Sequence, residues 1–266
     1  MTIILKIQKI VIYMAQKQSS THLDVSGPDP LYKQVGDRIL QCLVDGEWKP
    51  GEQLPTESQL AERLGVAVFT IRAGIGDLVA ANILVRKQGK GTFVARHSRQ
   101  RQRYQFSHIH DTSDKQILPG RELLAFSKIM ATGREAEKLG LLSEEKATIY
   151  KLKMLSVEMN RAVATLDIAL PSRMFKGLTA SAIRNAQENL YAAYQDECGV
   201  NVIRIEESIY AGLATVAEAN ALKLRASSPV LRVERIAYTY RNLPVEYRTR
   251  VFDATKYHYR AIEGSV

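Results

Sequence analysis

The sequence predicts two domains of overall α+β class, the first mostly helical and the second built on a largely antiparallel sheet. Three observations carry this. The chain has 266 residues, whereas one domain ordinarily takes ~100 to 200. Between Pro30 and Ala95, three helical patterns are followed by one alternating hairpin. Beyond Arg121, strand patterns outnumber helical ones and are joined by short turns, which argues against a wound parallel sheet. With 45% hydrophobic and 24% charged residues, the chain has a globular composition that can bury a core.

Leu31, Val35, Ile39, Cys42 and Leu43 recur at helical spacing and predict a first helix ending near Trp48, where Pro50, Gly51 and Pro55 break the pattern. Thr56 followed by Gln59 is a capping-box pattern that opens a short helix through Leu64, closed by Gly65. A third helix is expected from Val68 to Ala81. Its Ile71, Ile75, Leu78 and Val79 form a stripe suited to packing on the first helix, leaving Phe69, Arg72, Ala73 and Gly76 on another face. Ala67 offers no capping hydroxyl, which costs ~0.5–2 kcal/mol, and Gly74 and Gly76 each cost up to ~1 kcal/mol relative to alanine. The helix is therefore expected to be weak and held by tertiary contacts. "ILVRKQGKGTFVA" alternates around Gly89 and Gly91, a hairpin signal. Three helices and a hairpin make a winged helix-turn-helix over residues 30–96. Residues 1–29 read as a flexible extension, within which Met14 is expected to be the natural start, and residues 97–120 read as a linker.

The second domain, residues 121–266, opens with a strand in "ELLAFSKIMATG" and a short helix in "REAEKLGL". "TIYKLKMLSV" and "AVATLDIAL" are a strand pair around "EMNRA". "ENLYAAYQDECGV" is a helix stopped by Gly199, and "NVIRIEESIYAGLA" a strand. Thr215 and Glu218 form a second capping box. "PVLRVERIAYTY" and "VEYRTRVF" flank the turn "RNLP" as a second hairpin. The segments from Lys151 and Val233 share an arrangement, with Lys153 over Arg235, Asn160 over Asn242 and Val163 over Val245. This reads as an internal duplication.

Net charge is +9, which favours an anionic partner. Leu78 to His110 contains no acid but carries Arg86, Lys87, Lys90, Arg96, Arg99, Arg101 and Arg103. Such a run is either a solvated face or a phosphate track; on a wing the second is favoured. Cys42 and Cys198 have no Cys or His at ligand spacing, so neither a metal site nor a disulfide framework is expected. Cys42 lies in an apolar stripe and reads as a buried thiol, consistent with a reducing cytoplasm. "MTIILKIQKIVIY", broken by Lys6 and Lys9, falls short of the ~20 apolar residues of a membrane span, and no secretory cleavage site follows it.

"PLYKQVGDRI", "GEWKPGEQLPTESQLAERLGV", "TIR" and "QGKGTFVA", in that order over residues 30 to 95, resemble the GntR family of bacterial transcription regulators. "NLYAAYQDECGVNVIRIEESI", "VLRVERIAY" and "LPVEY" resemble the effector-binding, UTRA-type domain of its HutC subfamily, whose fold is similar to chorismate lyase. The first resemblance implies a DNA-reading third helix. Arg72 matches the arginine of the family's "TVR" motif and would read a guanine, a contact worth ~1–3 kcal/mol of discrimination, while Phe69 would meet thymine methyls. Lys33, Thr56, Glu57 and Thr70 would position the backbone. Glu57 could equally orient an arginine or sit in a first helical turn beside the positive dipole end. Gly89 and Lys90 match the wing turn, although tight-turn geometry alone explains Gly89 as well. Ala67 and Val68 depart from the usual Ser or Thr followed by Arg, and Ser58 stands where some members carry another arginine.

The second resemblance implies an effector site on the two hairpins, where Arg235, Tyr238 and Glu246 match. Lys153 stands for an Arg, Leu155 for a second Arg, Arg161 for a Glu and Phe252 for a Tyr. Lys153 and Arg235 together would suit a carboxylate or phosphate, or form an ordinary surface ion pair. The function expected is a cytoplasmic, nucleoid-associated regulator, a repressor that binds double-stranded DNA as a homodimer on an inverted repeat and answers to a small anionic metabolite. No cofactor, metal, membrane or catalytic residue is expected. The alternatives are an architectural DNA-binding protein and a lyase-like enzyme. Against the enzyme, no nucleophile triad, phosphate loop or metal spacing is found.

Overall fold

A computed structural model describes residues 28–96, 108–186 and 189–260, together with Leu23. Met14, most of the N-terminal extension and Arg99, Arg101 and Arg103 lie outside the described residues. The chain divides into two compact units, 1–95 and 96–266.

The first unit holds α1 (Leu31–Val44), α2 (Glu57–Leu64), α3 (Val68–Ala80) and the hairpin β1 (Leu84–Lys87) and β2 (Gly91–Val94). Helix α1 stops at Val44 rather than near Trp48. The Asp45 N–H returns to the Gln41 carbonyl and the Gly46 N–H to the Leu43 carbonyl, and Gly46 takes a φ of +77°, so a glycine turn, and not the prolines, ends it. Both reciprocal bonds of the Thr56–Gln59 box are made, and Gly65 closes α2 in the left-handed conformation. Ala67 caps α3 with no side-chain bond. Val35, Ile39, Ile71 and Ile75 are fully buried. A Cβ on Gly74 would lie 2.7 Å from the Tyr32 carbonyl oxygen and 2.9 Å from Val35 Cγ1. The propensity lost at Gly74 is thus the condition for close packing of α3 on α1. Gly76 faces no such neighbour.

The second unit is built on one antiparallel sheet of order β4-β5-β6-β9-β8-β7. Its strands are β4 (Gly120–Met130), β5 (Thr148–Glu158), β6 (Arg161–Pro171), β7 (Arg204–Leu213), β8 (Pro229–Thr239) and β9 (Leu243–Asp253). Helices α4 (Gly133–Lys138) and α7 (Val216–Leu222) cover one face; α5 (Ala180–Asn185) and α6 (Leu190–Cys198) cover the other. Leu152, Met154, Leu166 and Ile168 pack there against Phe175, Ile183 and Tyr194. A separate ribbon pairs β3 (Ile109–Asp111) with β10 (Tyr257–Tyr259). It places residues 108–120, read from sequence as linker, inside this unit. Ile109 and Ile117 are buried against Val163, Val233 and Phe252, and a three-residue strand is too short to show an alternation.

The duplication is a strand, helix and hairpin used twice. Thr132–Glu135 and Thr215–Glu218 are matching capping boxes, and their glutamates hold matching cations, Lys151 at 2.8 Å and Arg232 at 2.7 Å. Counted from the first ladder pairs, Met130–Thr148 and Leu213–Pro229, Lys151 corresponds to Arg232 and Lys153 to Glu234. The sequence match of Lys153 with Arg235 is therefore one residue out. The β8–β9 turn, closed by Thr239 and Leu243, holds one residue more than the β5–β6 turn, closed by Glu158 and Arg161. Aligning the turns thus slid the strands, and a slip of one residue reverses the faces.

Candidate functional site

In the first unit, α3 buries Ile71, Gly74, Ile75 and Leu78 and leaves Phe69 78% exposed, with Arg72 exposed beside it. The capping box that starts α2 places Glu57 in its first turn, and from there both sequence alternatives for this residue are realised. Its Oε2 accepts from Arg72 Nε at 2.9 Å and its Oε1 lies 3.5 Å from Arg86 Nη2. Arg86 also donates to the Arg72 carbonyl at 3.3 Å. Glu57 thus ties the arginine of α3 to the first wing strand, and a guanidinium held by one edge still offers its other donors. Thr56 is engaged in the cap through both its N–H and hydroxyl. Thr70 donates its N–H to Ala67 in the first turn of α3, and Lys33 is exposed in the first turn of α1. At the wing tip Lys90 is exposed and its carbonyl accepts from Gln53 Nε2 at 2.8 Å. Gly89 has a φ of +69°, and nothing lies within 4 Å of where a Cβ would stand, so the turn alone explains it. Lys87 lies 4.3 Å over the Phe93 ring.

In the second unit, the structure brings together only two of the five residues expected around an effector. Tyr191 of α6 joins them: its hydroxyl donates to Glu246 Oε1 at 3.2 Å and accepts from Arg235 Nη1 at 3.4 Å. Tyr238 instead donates to Glu206 at 2.6 Å, with the Arg204 guanidinium 3.9 Å over its ring. Lys153 is exposed in the same ladder row as Asp167, on the face opposite Arg235. Arg161 stands at the β5–β6 turn, beside a crevice of about 370 Å³ that it shares with Glu158 and Asp253.

The place of Lys153 and Arg161 is taken by arginines that the sequence reading did not single out. Arg248 donates to Glu246 Oε2 at 2.7 Å, which also accepts from Tyr194 at 2.8 Å. Arg235 donates to Glu207 Oε1 through Nε at 2.8 Å and Nη2 at 2.7 Å. Arg121 of β4 and Arg250 of β9 feel the charges of this group directly. Burial, reinforced by Arg235, Arg248 and Arg121, pulls Arg250 far below the ordinary arginine value, and burial with Arg248 lowers Arg121. Burial alone would raise Glu246; Arg248, Tyr194 and Arg235 hold it below the ordinary glutamate value. Among the described residues, Glu207 and Glu246 thus each hold one guanidinium of this group, those of Arg235 and Arg248. The Nε atoms of Arg248 and Arg250 are buried and make no hydrogen bond among the described residues. Uncompensated buried cations are costly, and an oxyanion with bidentate geometry would relieve them. One sequence signal was available: Glu246, Arg248 and Arg250 alternate along one strand and so share a face.

Burial pushes both thiols, Cys42 and Cys198, up to about 11, so neither is a nucleophile at neutral pH. No helix among the described residues is long and apolar enough to cross a membrane.

Residues 31–94 match the bacterial regulatory proteins of the gntR family, and residues 115–258 match the UTRA domain. Over 237 residues the chain is 26% identical to the mannosyl-D-glycerate transport/metabolism system repressor MngR of Escherichia coli (strain K12), covering 89% of this chain and 97% of that protein. It is 24% identical over 237 residues to the HTH-type transcriptional repressor NagR of Bacillus subtilis (strain 168), covering 89% and 96%. The histidine utilization repressor of Pseudomonas putida is 45% identical over 69 residues, 26% of this chain and 28% of that one. Among solved structures, the ligand-binding domain of a regulator assigned to the GntR family from Bordetella bronchiseptica superposes with a TM-score of 0.56 at 24% identity, covering 64% of this chain and all of that one. That likeness shows the fold of the second unit. The chain therefore belongs to the GntR family of bacterial regulatory proteins, with a GntR DNA-binding domain followed by a UTRA domain.

Proposed function

We propose that the protein is a homodimeric, cytoplasmic repressor that reads an inverted-repeat operator and is controlled by a small anionic metabolite held on Arg121, Arg235, Arg248 and Arg250. The observation that carries this reading is the pair of buried guanidinium Nε atoms, of Arg248 and Arg250, that make no hydrogen bond among the described residues. A lyase-like reaction finds no support in this set, because its carboxylates are committed to arginines and tyrosines.

One recognition helix makes too few contacts for genomic specificity, and helix-turn-helix proteins ordinarily bind paired half-sites as dimers. Strand β7 suits a second copy. It is a sheet edge with an exposed, uncharged run from Ile209 to Leu213, whereas the other edge, β4, is interrupted by a register shift between Leu123 and Ala125 and carries Lys128. Unprotected edges ordinarily pair. On DNA, Arg72→Ala is expected to relax preference at one base pair per half-site by ~1–3 kcal/mol. Lys90→Ala is expected to weaken binding to all sequences and to reduce the salt slope by about 1. Equal losses on specific and random DNA for Arg72→Ala, or a single asymmetric half-site bound by a monomer, would contradict the reading. Addition of effector should shift operator affinity by ~5–150-fold, the usual range for linked sites. An architectural protein would show no such shift.

A further inference from the structure

The Glu207 carboxylate belongs to two groups at once. Its Oε1 is held by Arg235 of the cationic cluster. Its Oε2 accepts from the Tyr259 hydroxyl and lies 3.9 Å from His108 Nε2. Tyr259 is in register with Ile109 in the β3–β10 ribbon, its ring lies 5.2 Å from the His108 ring, and the next residue, Arg260, donates its N–H to the His108 carbonyl at 2.8 Å. His108 is the first described residue after residues 97–107, which lie outside the described residues. The cluster and the β3–β10 ribbon are therefore two bonds apart, through one side chain.

We propose that Glu207 and Tyr259 form a relay that reports occupancy of the arginine cluster to His108–Asp111, the stretch that carries strand β3. The inference rests on the reading of the cluster as an oxyanion site. An oxyanion beside Arg235 competes with Glu207 for the same guanidinium and repels its carboxylate, because like charges a few ångströms apart in a poorly solvated site interact strongly. A carboxylate that moves loses or redirects the Tyr259 hydroxyl and its neighbour His108. Both act on a two-stranded ribbon with only three ladder pairs, an element weak enough to be reset by one bond. Differential contact of this kind is what any effector requires in order to shift a conformational equilibrium.

The test uses the full chain titrated with inorganic phosphate, against chloride at matched ionic strength. Amide hydrogen exchange is read on β9, which carries Arg248 and Arg250, and on Ile109–Asp111. In the parent protein phosphate is expected to change exchange on both segments. In Tyr259→Phe, which keeps the ring and removes only the hydroxyl bond to Glu207, the response on Ile109–Asp111 is expected to be lost while that on β9 persists. A parent response confined to β9, or a ribbon response that survives in Tyr259→Phe, overturns the relay and leaves the oxyanion site standing. Absence of any response on β9 in the parent overturns the oxyanion reading, and the relay with it.

Discussion

The two halves of the UTRA sheet have the same plan and opposite interiors. In the half made of β4, β5 and β6, the face under α5 and α6 carries Leu152, Met154, Leu166 and Ile168, all buried and apolar. In the half made of β7, β8 and β9, the corresponding face carries Glu207, Arg235, Glu246 and Arg248 with Arg250. Met154 is paired with Leu166 in one ladder, and in the equivalent row of the other Arg235 is paired with Arg248. One copy of the duplicated unit supplies the core; the other has given up apolar burial for a charged cluster. The site is thus a local exception to the packing rule that its own twin obeys. Its cost is offset by the apolar half, whose fully buried leucines and isoleucine each stabilise by ~1.5–3 kcal/mol.

Substitutions in the two halves put this contrast at risk. The largest effect is expected for Glu246→Leu, which leaves Arg248 buried without its partner; a loss of ~3–5 kcal/mol in urea unfolding is expected. Leu166→Ala, at the position equivalent to Arg248, is expected to cost ~2–5 kcal/mol through its cavity. A negligible cost for Glu246→Leu would mean that the polar half is solvated and not a closed site. Arg250→Met should have the opposite sign. It removes a cation repelled by three others, so stability should rise by on the order of 1 kcal/mol, while oxyanion binding is lost. If stability falls and binding is retained, Arg250 is a structural residue. The smallest effect is expected for Lys153→Gln. On the opposite, exposed face, it should change stability by less than ~0.5 kcal/mol and leave oxyanion affinity unchanged. A weakened affinity would restore the hairpin site expected from the sequence.

Most of the fold was legible because it is written in repeating local signals. The capping boxes at Thr56 and Thr215, the helix stops at Gly65 and Gly199 and the alternations of the hairpins all recur where the sequence placed them. The β3–β10 ribbon was not legible, since its pairing joins residues 109 and 259 through three-residue strands, and no local pattern encodes such a contact. Arg72 and Glu57 were legible through the family resemblance, which left Glu57 free to orient an arginine or to sit in a first helical turn, and the two side chains meet at 2.9 Å. The proposed effector site was half legible. Arg235 and Glu246 could be read from motifs, but the identity of their neighbours depends on strand register. One extra residue in the β8–β9 turn was enough to bring Lys153, a residue of the opposite face, into the expected site. Arg121 is further away still, three strands across the sheet from β9.

Whether the charged half of the sheet is the effector site can be decided by a thermal-shift screen of phosphorylated sugars, amino-acid derivatives and carboxylates on the parent protein and on Arg250→Met. An anionic compound is expected to raise the melting temperature of the parent and to have no effect on Arg250→Met, even though the variant alone melts no lower than the parent. A compound that stabilises both proteins equally, while still changing operator affinity, would place the effector elsewhere and contradict the assignment of the arginine cluster.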